Sequence, residues 1–122
     1  MERIVLDTNA VIYYLQNDSK AVSVIENLKD KDLYLSTITE TEVFSKQDLA
    51  IDRIIKIDTW LSNMSFVPVD SVIARKAASL RREYNLDVPD AIIGATSLFV
   101  DATVVSRDDD FDGVDEVEII KC

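Results

Sequence analysis

Short apolar runs alternate along the chain with segments in which apolar residues recur at helical spacing. Ile4-Val5-Leu6 is an apolar run that ends at Asp7-Thr8-Asn9, a pattern typical of a buried strand followed by a helix start. Four further runs of this kind predict four more strands, at 33–35, 66–69, 103–106 and 117–120. Pro68 favours an edge position or a strand end for the third run, because proline has no N–H to donate.

The segments between these runs predict amphipathic helices. Apolar residues at 21, 24, 25 and 28 lie on one helix face. Four more helices are predicted: one from about Thr39, one carrying Ile54, Ile57, Leu61 and Met64, one after an N-cap at Asp70, and one from Val88 to about Phe99.

Strands that alternate with helices in this way predict an α/β fold, a three-layer α/β/α sandwich with a mainly parallel sheet of roughly five strands. A chain of 122 residues is the size of one domain, so residues 1–122 are expected to form a single one. No apolar run approaches the ~20 residues that cross a bilayer, and no association with a membrane is expected. In such folds ligands bind beyond the carboxyl ends of the strands, where the strand order reverses.

The charge of the chain restricts its chemistry. Asp and Glu number 23 against 13 Lys and Arg, which gives a net charge of −10. A protein that binds nucleic acid through its overall electrostatic field carries a net positive charge. The balance therefore indicates either an acidic protein that does not bind phosphates or acids gathered to bind divalent cations. Cys122 is the one cysteine and can close no internal disulfide, so a cytoplasmic location is expected.

Acidic residues fall where the predicted fold would place a ligand. Asp7 follows the first strand, and Asp108-Asp109-Asp110 follow the fourth. Glu42 and Asp90 lie in the first turns of two predicted helices. Carboxylates in one cleft repel one another unless cations neutralise them, and Mg²⁺ and Mn²⁺ prefer oxygen ligands. The chain has no histidine and no cysteine pair, which excludes a zinc site built from nitrogen and sulfur ligands.

Each acid also has a purely structural explanation. Thr39-Glu40-Thr41-Glu42 satisfies the capping box, in which Glu42 bonds back to the backbone N–H of Thr39. Asp7 and Asp90 could favour the dipole of a helix start, and residues 108–110 could form a solvated turn. The joint placement favours a site, because helix capping does not require acids to gather at one end of one sheet.

Four segments carry motifs in a defined order. Ile4–Asn9 is a strand that ends in Asp-Thr-Asn, and Ser36–Val43 reads S-T-I-T-E-T-E-V. Asp87–Thr96 reads D-V-P-D-A-I-I-G-A-T, and Val104–Phe111 reads V-V-S-R-D-D-D-F. Together they resemble the PIN-domain family, and within it the VapC-type toxin ribonucleases. Ser106 stands where that family usually has Thr, a change that keeps the hydroxyl group.

The resemblance implies a metal site and an activity. It puts the catalytic, metal-binding acids on Asp7, Glu42, Asp90 and Asp108, with Asp110 as an alternative or additional ligand to Asp108. The residues expected to support these ligands by hydrogen bonds are Thr8, Asn9, Thr39 and Ser106. The implied activity is that of a Mg²⁺- or Mn²⁺-dependent endoribonuclease, the toxin of a type II toxin–antitoxin pair. The implied partners are RNA, a cognate antitoxin and a second copy in a homodimer.

Two other classes of function compete with this one. An aspartate-based phosphatase or phosphotransfer module also has an Asp after its first strand, but it typically has a second Asp two residues on, where this chain has Asn9. A non-catalytic PIN-like interaction domain would keep the fold without cleaving RNA. The basic residues Arg75, Lys76, Arg81 and Arg82 could receive RNA phosphates, although a solvated helix face is the simpler explanation.

Overall fold

A five-stranded parallel sheet forms the middle layer of the computed structural model, which describes residues 2–122. The strands are β1 (Arg3–Leu6), β2 (Asp32–Ser36), β3 (Ser65–Val67), β4 (Thr103–Ser106) and β5 (Ile119–Lys121). Their order in the sheet is β3-β2-β1-β4-β5, and all four pairings are parallel. β3 is an edge strand, as Pro68 predicted.

Six helices cover the two faces of the sheet in the described part of the chain. They are α1 (Thr8–Leu15), α2 (Ser19–Asn27), α3 (Thr37–Phe44), α4 (Ile51–Leu61), α5 (Ser71–Tyr84) and α6 (Val88–Val100). Side chains of β1 alternate between the faces. Val5 packs in one buried cluster with α5 and α6, whereas Ile4 and Leu6 pack in a second with α1–α4. The three-layer α/β/α sandwich is therefore confirmed.

The strand order reverses between β1 and β4. The chain first adds β2 and β3 on one side of β1, and then returns to add β4 and β5 on the other. The two strand ends are joined by a 3.0 Å hydrogen bond from the backbone N of Asp7 to the carbonyl of Val105. Residues that follow β1 and β4 therefore meet at one edge of the sheet, the position at which open α/β folds bind ligands.

Three predicted boundaries were wrong, each for a local reason. α3 begins at Thr37 rather than near Thr39, because Ser36 is its N-cap and accepts a 3.2 Å hydrogen bond from the N of Ile38. β3 ends at Val67, directly before Pro68. β5 begins at Ile119 rather than at residue 117, since the preceding segment forms a turn in which the N of Val117 bonds the carbonyl of Val114.

The predicted end of α4 was also wrong, whereas the predicted N-cap of α5 is confirmed. α4 ends at Leu61, so Met64 lies beyond the helix whose apolar face it was expected to share. Asp70 is the N-cap of α5, as predicted, and accepts a 2.9 Å hydrogen bond from the N of Ile73. Among the helices of residues 2–122, none is long and apolar enough to cross a membrane.

Candidate active site

Asp7 lies at the turn between β1 and α1 with both carboxylate oxygens engaged. Oδ1 accepts a 2.8 Å hydrogen bond from the N of Thr8, which makes Asp7 the N-cap of α1. Oδ2 accepts a 2.8 Å hydrogen bond from Ser106 Oγ at the end of β4. The residue is only 4% exposed. Each oxygen keeps a second lone pair, so these bonds orient the carboxylate without exhausting its capacity as a ligand.

A chain of hydroxyl groups holds Glu42. Thr8 Oγ1 donates a 2.7 Å hydrogen bond to Glu42 Oε1 and lies 3.0 Å from Thr39 Oγ1. A threonine hydroxyl has one hydrogen, so Thr39 must be the donor in its bond with Thr8. The capping box, the alternative structural explanation of Glu42, does not form, because Ser36 caps α3 and the carboxylate of Glu42 accepts a hydrogen bond from the side chain of Thr8. Glu42 is the sixth residue of α3, so its predicted position in the first turn was wrong.

Asn9 joins α1 to the loop that follows β4. Its Nδ2 donates to Asp108 Oδ2 at 2.6 Å and to Ser106 Oγ at 3.5 Å, and its Oδ1 accepts from the N of Arg107 at 3.3 Å. The amide thus uses both its donor and its acceptor groups to hold Asp108. A second carboxylate at this position, as in the phosphatase class, could not donate to Asp108, so the contact argues against that alternative.

The side chains of the three consecutive aspartates point in two directions. Asp108 and Asp110 line the cleft at the switch point. Asp109 points away and bonds Lys121 Nζ at 3.1 Å, and this hydrogen bond lowers the pKa of its carboxyl group. Lys121 Nζ also donates to the carbonyl of Asp108 at 2.6 Å. The sequence left Asp108 and Asp110 as alternatives, and both of them line the cleft.

The start of α6 brings two further acids to the cleft. Asp87 is the N-cap and accepts a 3.0 Å hydrogen bond from the N of Asp90, which lies half-buried in the first turn. The predicted helix start at Val88 is confirmed, but Asp87 was not predicted to belong to the site. An Asp three residues before another first-turn acid is an N-cap signal that could have identified it.

These elements enclose a cleft of about 280 Å³ beyond the ends of β1 and β4. Its lining contains six carboxylates and no basic side chain. The lining residues are Asp7, Thr8, Asn9, Ile12, Glu42, Asp87, Pro89, Asp90, Asp108 and Asp110. Thr39 and Ser106 lie behind this lining, where they contact Thr8 and Asp7. The structure thus brings together every residue that the sequence analysis assigned to the site, whereas their role as metal ligands stays a prediction.

The basic residues of α5 lie outside this cleft. Lys76 pairs with Glu116 at 3.3 Å, and Arg81 Nε donates to the carbonyl of Leu86 at 2.9 Å. Arg81 and Arg82 line a separate, larger groove of about 530 Å³ between α5 and α6. That groove is otherwise apolar and carries no carboxylate, so it offers none of the chemistry of the acidic cleft.

Burial and mutual repulsion raise the pKa values of two of the acids. Burial raises the pKa of Asp7 from an ordinary 3.8 to about 6, with hydrogen bonds from Ser106 and the N of Thr8 acting in the opposite direction. The pKa of Asp90 rises to about 8, first through burial and then through the charges of Asp110 and Asp87. Near neutral pH the cleft by itself therefore tends to hold a proton at Asp90.

The donor set fits Mg²⁺ or Mn²⁺. Among residues 2–122, no three carboxylates lie close enough together to enclose an ion as they stand. A divalent cation would supply the positive charge that the lining lacks. The oxygen-only lining suits a hard cation, and Mg²⁺ commonly needs only one or two carboxylates beside its waters. The lining contains no cysteine and no methionine, and therefore no soft sulfur ligand.

Residues 4–117 match the PIN domain family. The chain belongs to the PIN domain family. The match spans β1 through the segment before β5 and includes every acid of the cleft. The family is one of nucleases, which agrees with the resemblance seen in the four motifs. No curated protein matches the chain.

Solved structures share the architecture of this PIN domain over almost its whole length. A toxin-antitoxin complex from Klebsiella pneumoniae contains a chain that is 26% identical, with a TM-score of 0.85 and coverage of 96% of this chain and 95% of that one. VapBC-5 from Mycobacterium tuberculosis, of the VapBC family of toxin-antitoxin systems, is 28% identical, with a TM-score of 0.71 and 100% coverage of both chains. DNA-bound VapBC from Salmonella typhimurium is 19% identical, with a TM-score of 0.83 and coverage of 99% and 98%, and shows the fold alone.

Proposed function

We propose that this PIN domain is a Mg²⁺- or Mn²⁺-dependent endoribonuclease that hydrolyses RNA phosphodiester bonds, and that it is the toxin of a type II toxin–antitoxin pair. The observation that carries the proposal is the cleft at the ends of β1 and β4, which is lined by six carboxylates and no basic side chain. Such a cleft repels a polyanion unless it also holds cations, so RNA and a divalent metal are expected to bind it together. The cytoplasm is the proposed location.

Five of the lining residues would hold the metal: Asp7, Glu42, Asp90, Asp108 and Asp110. When bound, a divalent cation offsets negative charge on the phosphate and makes water a stronger nucleophile. The chain supplies the orientation of the ligands through Ser106 on Asp7, Thr8 on Glu42 and Asn9 on Asp108. The carboxyl group of Asp90 holds a proton near neutral pH and must release it to become a ligand.

We propose an antitoxin as the protein partner, because the solved relatives include toxin-antitoxin complexes. An inhibitor that presents Arg or Lys to the acidic cleft would neutralise it, and Arg pairs bidentately with carboxylates. A neighbouring groove of about 310 Å³ lies between α1, α3 and α4; it contains apolar side chains such as Val43 and Ile57 and the charged residues Lys46, Asp48 and Arg53. Ile12 and Glu42 line both this groove and the cleft. A segment seated in the groove would therefore reach the acids directly.

A homodimer is the second proposed assembly, and the face formed by α5 and α6 is the proposed interface. Val72, Val88 and Phe99 on these helices are 61%, 48% and 59% exposed. Val72 and Phe99 line one groove between the two helices, whereas Val88 lies at the other end of α6. Exposed apolar side chains that lie together on a surface commonly mark a protein interface. This face is distinct from the groove between α1, α3 and α4, so dimerisation and inhibition by an antitoxin could occur together.

Cleavage of a labelled RNA by the purified protein tests the proposed activity. We expect internal cuts with millimolar Mg²⁺ or Mn²⁺ and none with excess EDTA. Asp7→Asn and Asp90→Asn, purified in parallel, control for a contaminating nuclease, because each replaces a carboxyl group of the cleft with an amide of nearly the same size. Intact RNA under all metal conditions would instead support the non-catalytic interaction domain or the phosphatase class. The two are then separated by hydrolysis of a small phosphomonoester.

A further inference from the structure

One guanidinium group lies behind the cleft and joins distant parts of the chain. Arg107 Nη1 and Nη2 donate to the two carboxylate oxygens of Asp18 at 3.1 and 2.6 Å. Its Nε and Nη2 donate to the carbonyl of Cys122 at 3.1 and 2.7 Å. Its Cζ lies 3.9 Å from the centre of the Tyr13 ring. The planar, five-donor geometry of arginine allows one side chain to make all of these contacts.

The contacts of Arg107 connect four elements. Tyr13 belongs to α1, and Asp18 is the N-cap of α2, where it also accepts a 3.0 Å hydrogen bond from the N of Ala21. Cys122 directly follows β5. Arg107 itself is the first residue after β4. The loop that leaves β4 is thus anchored to α1, α2 and the end of β5 through one side chain.

The two sequence neighbours of Arg107 determine the geometry of the cleft. Ser106 Oγ donates to Asp7 Oδ2 at 2.8 Å, and Asp108 Oδ2 accepts from Asn9 Nδ2 at 2.6 Å. Asp108 lines the cleft and Ser106 lies directly behind its lining, whereas the guanidinium of Arg107 binds Asp18, which is not part of the lining. Because Arg107 shares a peptide unit with each neighbour, its side-chain contacts restrain the backbone that carries both of them.

We infer that Arg107 is a positioning residue of the cleft, which holds Ser106 against Asp7 and fixes the carboxylate of Asp108 by its contacts with Asp18, Tyr13 and Cys122. Its side chain does not line the cleft, so it acts through its neighbours rather than on the substrate. Because this role takes Asp7 and Asp108 as metal ligands, it rests on the proposed function. Lysine cannot substitute for it, since an ammonium group has no planar fork for a bidentate contact with Asp18.

Three variants separate a positioning role from a purely stabilising one. Arg107→Lys keeps the charge but loses the forked contacts. Asp18→Asn weakens the ion pair while the asparagine still caps α2. Lys76→Gln is the matched control, because it removes an ion pair with Glu116 that lies outside the cleft.

Binding of Mn²⁺ is measured from the electron paramagnetic resonance signal of free Mn²⁺, and kcat and KM are measured with labelled RNA at saturating Mn²⁺. Loss of a group that orients a metal ligand typically weakens metal binding by about 10-fold to 100-fold. We expect Arg107→Lys to raise the Mn²⁺ Kd by about 10-fold and to lower kcat, with the KM for RNA unchanged. Asp18→Asn should act in the same direction, and the double variant should show less than the sum of the two effects.

Arg107→Lys and Asp18→Asn proteins that bind Mn²⁺ and turn over RNA like the wild type would overturn this role, even if both melt at lower temperature. If Arg107→Lys does not fold, Asp18→Asn decides the question by itself, because its helix cap is retained. A wild-type protein that neither binds Mn²⁺ nor cleaves RNA would overturn the proposed function and this role together. Equal losses of Mn²⁺ affinity and kcat in Lys76→Gln would also overturn the role of Arg107, since the loss of any ion pair would then have the same effect.

Discussion

Ser106 Oγ and Asp7 Oδ2 are 2.8 Å apart although 99 positions separate the two residues in the chain. The hydrogen bond joins the end of β4 to the end of β1, the two strands between which the sheet order reverses. It is buried, and it fixes the one acid of the cleft that is almost fully removed from solvent. The orientation of Asp7 therefore depends on the pairing of β1 with β4.

Ser106→Ala should weaken metal binding while Ser106→Thr preserves it. Alanine removes the hydroxyl that orients Asp7, and the expected rise in the Mn²⁺ Kd is about 10-fold or more. Threonine keeps the donor at this position. Calorimetric titration of both variants with Mn²⁺ checks the prediction. An alanine variant with the Mn²⁺ affinity of the wild type would mean that the 2.8 Å bond does not matter for the ligand.

Asp7→Asn and Asp90→Asn should each abolish RNA cleavage, because a neutral amide binds a hard cation far less well than a carboxylate. The metal-free fold should be as stable as before or more stable, since each change removes repulsion among the acids. Asparagine can also keep the N-cap of α1 at position 7. Cleavage rates and urea unfolding in EDTA test both halves. Either variant cutting RNA at near wild-type rate would rule out the proposed site.

Mn²⁺ should raise the melting temperature of the wild type. A ligand that binds only the folded state stabilises it by RT ln(1 + [L]/Kd), or about 2.7 kcal/mol at a concentration 100 times Kd. The shift should disappear in Asp7→Asn. Melting curves are compared in EDTA and in millimolar Mn²⁺. Identical curves for the wild type in the two conditions would contradict the assignment of a metal site to the cleft.

The stability of the metal-free protein should fall as pH rises from about 4 to about 8. The folded-state pKa values of Asp7 and Asp90 are raised from 3.8 to about 6 and about 8. A raised pKa means that the folded state keeps a proton that the unfolded chain releases. Each acid therefore makes its full contribution to stability below its unfolded-state pKa, and that contribution is lost as pH rises through its folded-state pKa. Unfolding in EDTA across this range measures it.

Asp90→Asn supplies the control for this pH dependence. The variant removes the carboxyl group with the higher pKa, so its stability should vary less between pH 6 and pH 8 than that of the wild type. Equal slopes of stability against pH in the two proteins would show that other groups cause the dependence.

Calorimetric titration of the wild type with Mn²⁺ in two buffers of different ionisation enthalpy should also reveal proton release, because a metal ligand must be deprotonated.

Phe99→Glu should convert the proposed dimer to a monomer, because a charge would be buried at the centre of an apolar contact. Ile55→Glu on α4 is the matched control, since Ile55 is 58% exposed and Phe99 is 59% exposed. Sedimentation at high micromolar concentration distinguishes the two forms. A wild-type protein that sediments as a strict monomer would remove the dimer, and an Ile55→Glu monomer would move the interface to α4.

The local pattern of apolar and polar residues was enough to predict the layers of this fold and the order of its strands and helices along the chain. Burial of β1 on both faces is visible as an unbroken apolar run, and Asp70 signals its helix by the chemistry of its own side chain. Helix and strand boundaries were less predictable, because the choice between Ser36 and Thr39 as the cap of α3 depends on where β2 ends.

The residue types of the site were predictable, whereas their contacts were not. Acids that follow parallel strands must meet at one sheet edge, so Asp7, Glu42, Asp90 and Asp108 could be grouped from their positions alone. The capping box failed because the tertiary fold brings Thr8 within 2.7 Å of Glu42. The sequence did not show that Asp109, unlike Asp108 and Asp110, points away from the cleft. Its direction depends on a hydrogen bond from Lys121 on β5.

The sequence by itself determined the fold class, the family and the set of candidate acids of this protein, because these follow from the periodicity and the identity of residues that are close in the chain. Only the tertiary structure decided which acids line the cleft, how each is hydrogen-bonded and how strongly Asp90 resists ionisation. The physical reason is that orientation and pKa depend on burial and on charges from residues remote in sequence. Arg107 illustrates the difference, since nothing local indicates its contacts with Asp18 and Cys122.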